Sequence, residues 1–119
     1  EKIALIGSGE LTVTIKGSGI GGRNQEMLLS LINIMKNQEM NYPFLVLGAN
    51  LDGIEGNSKA MGALMDNYIL NKVKKNQLNV ELYLENNDSN IFFRSHESEI
   101  LTGPTGCNVN DIILVLLIK

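Results

Sequence analysis

Ten consecutive residues, Gly17-Ser-Gly-Ile-Gly-Gly-Arg-Asn-Gln-Glu26, constrain this chain more than any others. The residues before them, Leu11-Thr-Val-Thr-Ile15, alternate as a strand does, and those after them, Met27 to Met35, repeat their apolar members at helical spacing. A glycine-rich turn is therefore expected to carry the chain from a strand into the first turn of a helix. Glycines let a backbone approach a ligand closely. The first amides of a helix have no internal partner, and the helix dipole adds partial positive charge there. The combination suits a phosphate or a carboxylate, and Arg23 adds a planar, permanently charged donor fork at the same place.

Composition narrows the class. With 119 residues, 44% of them apolar and 19% charged, the chain can bury a core as one domain. A net charge of −3 with no basic run argues against a nucleic-acid surface. The single cysteine excludes an internal disulfide and points to a reducing, cytoplasmic setting. No signal-peptide pattern is present, and the longest apolar run, Ile112 to Ile118, is too short to span a bilayer, so no membrane partner is expected. The chain begins almost directly in a strand without an initiator Met, the expectation for one domain of a longer chain.

In order, Lys2–Ile6 reads as a strand, Gly7–Glu10 as a turn, and Leu11–Lys16 as a second strand forming an antiparallel hairpin with the first. A helix is expected from Arg23 to about Asn37, and a buried strand at Phe44–Leu47. A second glycine-rich loop, Gly48–Gly56, holds Asp52 and Glu55. Asn57 or Ser58 then caps a helix through Met65. Further helices are expected over Tyr68–Lys75, over Val80–Glu85, and after Asp88 or Ser89 through Phe93. A short strand at Glu99–Thr102, a polar loop at Gly103–Asn110 and a last buried strand at Asp111–Ile118 complete the chain. Alternating strands and helices indicate an α/β fold with three layers, α/β/α, around a mixed sheet.

Several groups of residues suggest chemistry. Gly17, Gly19 and Gly22 satisfy G-x-G-x-x-G, the dinucleotide fingerprint, but Asp52 comes late for the ribose-binding acid and no Walker lysine occurs. The alternative is a tight turn with a solvated Arg23. Asp52 and Glu55 lie at a strand end and could hold Mg²⁺ or orient a hydroxyl, or simply be solvated. Thr102, Thr105, Asn108, Asn110 and Asp111 crowd another strand-end loop, to meet substrate or to satisfy the turn's own backbone. Cys107 and His96 could form a thiol–imidazole pair, but nothing in the sequence brings them together.

Glu10-Leu-Thr-Val-Thr, Gly21-Gly-Arg-Asn-Gln-Glu26, Asp52-Gly-Ile-Glu-Gly56, Gly62-Ala63, Asn87-Asp88-Ser89, Phe92-Phe93, Leu101-Thr-Gly-Pro-Thr-Gly106 and Asn108-Val-Asn-Asp111 occur in the order seen in the MOFRL domain. The chain thus resembles, over almost its whole length, the C-terminal domain of class II glycerate kinases, some long labelled hydroxypyruvate reductases. The resemblance implies ATP-dependent phosphorylation of glycerate to 2-phosphoglycerate in a cleft between this domain and an N-terminal Rossmann-like domain of the same chain, which carries most of the ATP and Mg²⁺ site. It implies that Arg23 is the catalytic contribution of this half. Gly21, Gly22, Asn24, Gln25, Glu26, Thr102, Thr105, Asn108, Asn110 and Asp111 follow as substrate- or phosphate-binding residues, with Asp52 and Glu55 as a candidate metal or polar site. The 119 residues alone are then expected to lack kinase activity.

The chain departs from the family pattern between Gly48 and Gly62: the loop is two residues longer by that comparison, Glu55 stands for an Asp, Asn57 for a Pro and Lys59 for an Asp. Two other readings remain open at this stage: an NAD(P)-dependent hydroxypyruvate reductase domain, and a binding or assembly module without chemistry.

Overall fold

The computed structural model describes all 119 residues. In chain order the elements are β1 (Lys2–Gly9), α1 (Arg23–Met35), β2 (Phe44–Asn50), β3 (Gly62–Asp66), α2 (Asn67–Asn76), α3 (Val80–Glu85), α4 (Ser89–Ser95), β4 (Glu99–Ile100) and β5 (Asp111–Ile118). The strands form one sheet in the order β1-β5-β2-β3-β4.

The α1 face that the helical spacing marks is the face that packs: Leu28, Leu29, Ile32 and Met35 are buried. They meet Phe44 and Val46 of β2, Ala63 and Met65 of β3, and apolar side chains from α2, α3 and α4 in a single core. Each such side chain contributes on the order of 1.5–3 kcal/mol when fully removed from water. Helix α2 starts where Asp66 accepts a hydrogen bond from the Ile69 amide at 2.9 Å and stops where Gln77 turns left-handed.

The α/β class holds, and its details differ from expectation in four places. The sheet is not mixed: all four strand pairings are antiparallel. The opening strand pairs with β5, from Lys2 opposite Ile118 to Gly9 opposite Asp111, and not with Leu11–Lys16. That segment pairs with no strand. Its backbone meets the side-chain amide of Asn87 instead, which donates to the Thr14 carbonyl and accepts from the Lys16 amide.

Residues 57–65 are not a helix. A turn-rich loop leads into β3, which pairs with β2 so closely that a Cβ on Gly62 would lie 1.9 Å from the Gly48 carbonyl oxygen. The helix-forming residues Ala60, Met61, Ala63 and Met65 are overridden by this pairing.

Of the expected three layers, this chain supplies two. All four helices feed the core on one sheet face. The other face carries Ile6, Leu45, Leu47, Leu114, Leu116 and Ile118, and Ile6 is 72% exposed, Leu116 40% and Ile118 52%. The long apolar run of β5 is explained by its central position, half of it facing the core and half facing this open side. No helix is long and apolar enough to cross a membrane.

Candidate functional site

Antiparallel pairing brings one end of the sheet together with the start of α1. Gly9 at the end of β1 and Asn50 at the end of β2 both lie opposite Asp111, the first residue of β5. Arg23 opens α1 beside them. Its Nε donates to Asp111 Oδ2 at 2.7 Å and its Nη2 to Oδ1 at 2.8 Å, a bidentate pair, and its Nη1 donates to Glu10 Oε1 at 3.1 Å. The Asp111 carboxylate, 1% exposed, holds the guanidinium above its already high ordinary pKa, mainly through these hydrogen bonds. Arg23 is therefore a fixed cation at every working pH. It lines a groove of about 480 Å³ together with Thr12, Thr14, Lys16, Glu26 and Ser30.

Two of the free helix amides expected at this point, those of Asn24 and Gln25, are already engaged. The Glu55 carboxylate, 3% exposed, accepts from the Asn24 amide at 2.8 Å and from the Gln25 amide at 2.9 Å. The side-chain amides of the same two residues donate to it as well, at 2.9 and 3.0 Å. Burial pushes the Glu55 carboxyl up, and these four donors pull it back. Glu55 is thus a cap delivered from a distant loop, not an open metal ligand. Asn24 and Gln25 face inward as part of a buried polar network. Gln25 donates to Ser58, and Asn90 donates to both Gln25 and Glu99.

The glycine loop is held in the same manner. The Lys16 and Gly17 amides donate to Asn87 Oδ1, Ser18 to Asn86 Oδ1, Ile20 to Asp88 Oδ1 and Gly21 to Asn57 Oδ1. The glycines are present for close approach: a Cβ on Gly17 would meet Asn86 at 2.4 Å, and one on Gly21 would meet Ser89 Oγ at 2.3 Å. A dinucleotide fingerprint needs a parallel βαβ unit and open loop amides. No strand pairing here is parallel, and the amides from Gly17 to Gly21 are engaged.

The remaining residues singled out from sequence fall into two groups. Thr105 and Asp52 tie two loops together: the Thr105 hydroxyl donates to the Leu51 carbonyl at 2.6 Å, and the Thr105 amide donates to the Asp52 carbonyl at 2.9 Å. Asp52 also closes its own turn by accepting from the Ile54 amide. The Thr102 hydroxyl donates to the Gly103 carbonyl, while Asn108 and Asn110 are exposed and Asn110 has φ 72°. These residues border a separate cleft of about 300 Å³, lined by Asp52 and Asn108 but not by Arg23. Asp111 belongs with Arg23, as the group that orients it. His96 and Cys107 make their hydrogen bonds elsewhere, His96 to the Phe92 carbonyl and Cys107 to Thr105.

Sequence reasoning missed two partners. Glu10 was read as a turn residue, yet it closes the third side of the guanidinium. Lys16 ends the Leu11–Lys16 segment and brings a second cation to the groove. Glu10 at the head of the Glu10-Leu-Thr-Val-Thr motif was the available signal.

Residues 3–111 match the model of the MOFRL family. The chain is 38% identical over 115 residues to the D-glycerate 2-kinase of Thermotoga maritima, covering 97% of this chain and 27% of that protein. It is 33% identical over 119 residues to the glycerate kinase of Homo sapiens, covering 97% of this chain and 23% of that protein. A crystal structure of the T. maritima glycerate kinase superposes with a TM-score of 0.84 at 38% identity, over 97% of this chain and 27% of that one. A Pyrococcus horikoshii OT3 crystal structure gives 0.81 at 33% identity, over 95% and 25%. The chain therefore spans about a quarter of the length of these relatives. With its fold, its motifs and the family model agreeing over residues 3–111, the chain belongs to the MOFRL family.

Proposed function

We propose that this chain supplies one wall of a glycerate kinase active site, with Arg23 binding the glycerate carboxylate or the phosphoryl group in transfer. One observation carries the reading: Arg23 is clamped by Asp111 and Glu10 while lining a groove that also holds Lys16. A guanidinium has five N–H donors, and three are used by these partners. The others are left for an anion. A cation positioned before the substrate arrives costs no reorganisation during the reaction, and phosphoryl transfer draws most of its catalysis from such positioning and charge stabilisation.

The glycine loop of this chain does not suit a nucleotide's phosphates. The loop amides that would cradle phosphates already donate to Asn57, Asn86, Asn87 and Asp88, and no three His, Cys, Asp or Glu side chains gather in a metal-binding cluster. We assign the nucleotide and its metal to a second, Rossmann-like domain of a longer chain, in keeping with relatives of which this chain spans 27% or less. The open apolar face of the sheet is where such a chain would add its missing layer.

The test is ATP-dependent phosphorylation of D-glycerate by the polypeptide as its gene encodes it. Arg23→Ala is expected to lower kcat by at least about a hundredfold, the scale of losing one aligned transition-state donor. Arg23→Lys, which keeps the charge but not the fork, should fall between. Unchanged kinetics in Arg23→Ala would remove Arg23 from the site. A fluorescence titration with NADH addresses the reductase alternative, and saturable binding would favour it.

A further inference from the structure

The two edges of the sheet are built differently. At one, β4 is two residues long and begins with Glu99, a short and charged strand of the kind that discourages further pairing. At the other, β1 runs for eight residues, from Lys2 opposite Ile118 to Gly9 opposite Asp111, in unbroken register. It has no proline and no bulge, and its only charged residue is Lys2, at the very start. In an antiparallel ladder every second residue of an edge strand turns its N–H and C=O outward. Along β1 those groups meet no backbone partner in this chain.

The strand is also bare on both faces. Leu5, opposite Val115, lies on the side of the helices, but these pack on β2 and β3 and leave Leu5 61% exposed. Ile6, on the other side, is 72% exposed. It opens a row that crosses four strands through Leu114 and Leu47 to Leu64. Leu116 and Leu45 lie in the next row. At about 4.8 Å between strands these four are roughly 14 Å across, room for one or two helices of about 10 Å each. A continuous apolar surface of this kind marks a contact.

The occupant has to satisfy edge and face together. A second copy pairing β1 with β1 would satisfy the edge and double the bare face. A second copy packed face to face would cover the leucines and leave the edge open. A strand with its connected helix does both, and it is the unit from which α/β sheets grow. This chain matches only 27% and 23% of the length of its T. maritima and human relatives, so polypeptides of this family have the material for such a unit outside it.

We propose that β1 is an interior strand of the polypeptide as its gene encodes it: a strand from the remainder of that polypeptide hydrogen-bonds along the outer edge of β1, and the helix joined to it lies across the row from Ile6 to Leu64. This rests on the reading of the chain as part of a longer polypeptide and is independent of the chemistry assigned to Arg23.

Residue-resolved amide exchange and thiol alkylation of that polypeptide test the two halves. In wild type, all the amides of β1 should exchange at least about a hundredfold slower than those of an unstructured peptide. A free edge would protect only every second one, those bonded to β5. Leu116→Cys in a Cys107→Ser background, with the modified site read by mass spectrometry, should be alkylated at least about a hundredfold slower in the native protein than in urea. Unprotected alternate amides along β1 overturn the proposal, and so does alkylation of position 116 at the denatured rate. Protection that is lost on dilution, together with a fall in sedimenting mass, assigns the surface to a second copy and overturns it as well. Protection without ATP-dependent turnover of D-glycerate would sink the kinase reading and leave the interior strand standing. Turnover with a bare edge would do the reverse.

Discussion

Glu55→Gln tests how α1 is anchored. The wild-type carboxylate faces four donors, two backbone amides and two side-chain amides, and each of its oxygens accepts two of them. A carboxamide has only one acceptor oxygen. Whichever way it turns, its NH₂ group faces two N–H donors, in a place where Asn24 and Gln25 are 0% exposed and Glu55 3%. Each buried donor left without a partner costs about 1–3 kcal/mol. Two of them, with some local relaxation, give a loss of about 3 kcal/mol, a large share of a total stability of roughly 5–15 kcal/mol. At about 4 °C per kcal/mol for a domain of this size, the melting temperature should fall by roughly 12 °C. Thermal and urea unfolding of wild type and variant measure this, and amide exchange at Asn24 and Gln25 should accelerate in parallel. Asp52→Asn is the matched control: it lies in the same loop, its side chain accepts from only the Ile54 amide, and it should cost less than about 0.5 kcal/mol. A Glu55→Gln protein within about 1 kcal/mol of wild type would refute the view that this carboxylate is the cap of α1.

Three other outcomes follow from particular contacts. Asp111→Asn should lower kcat by about tenfold or more while leaving the charge of Arg23 in place, since Asn can offer only one acceptor to the fork; steady-state kinetics of the kinase reaction read it. Gly62→Ala should destabilise by about 3 kcal/mol or more, because the new Cβ would meet backbone on the paired strand, the Gly48 carbonyl oxygen at 1.9 Å and Ala49 Cα at 2.6 Å, and neither can yield; urea unfolding measures it. Stability should also depend on pH through Glu26. Its folded pKa lies above the ordinary 4.5, so its contribution is complete below 4.5 and is lost as pH rises through the folded value. Melting curves at stepped pH should show this decline, and Glu26→Gln should reduce it, leaving the part that Glu55, likewise raised by burial, contributes.

Much of the helical part of the fold was legible because it is local. The apolar spacing after Met27 marks the face of α1 that is buried, and the helices expected over Tyr68–Lys75, over Val80–Glu85 and after Asp88 or Ser89 lie at about their true positions. The strands were harder. Leu11–Lys16 alternates as well as many strands do, but a strand is defined by a partner, and β5, more than a hundred residues from β1, was the better one. Residues 57–65 carry good helix formers, and the contact between Gly62 and Gly48 overrules them.

The site divides along the same line. Sequence by itself determined which chemical groups this protein has: a glycine turn, a guanidinium at a helix start, and carboxylates at positions 10, 26, 55 and 111. Tertiary structure decided what each one does. Glu55 closes the helix amides that the sequence leaves open, Asn57 and Asn86–Asp88 occupy the loop amides, and Asp111 orients Arg23. Glu26 is buried beside Ser89 and Asn87, whose hydrogen bonds only partly offset the effect of burial on its carboxyl. A backbone amide or a carboxylate has the same capacity for hydrogen bonding wherever it lies, and only the folding of distant segments determines whether the chain uses that capacity itself or leaves it for a ligand.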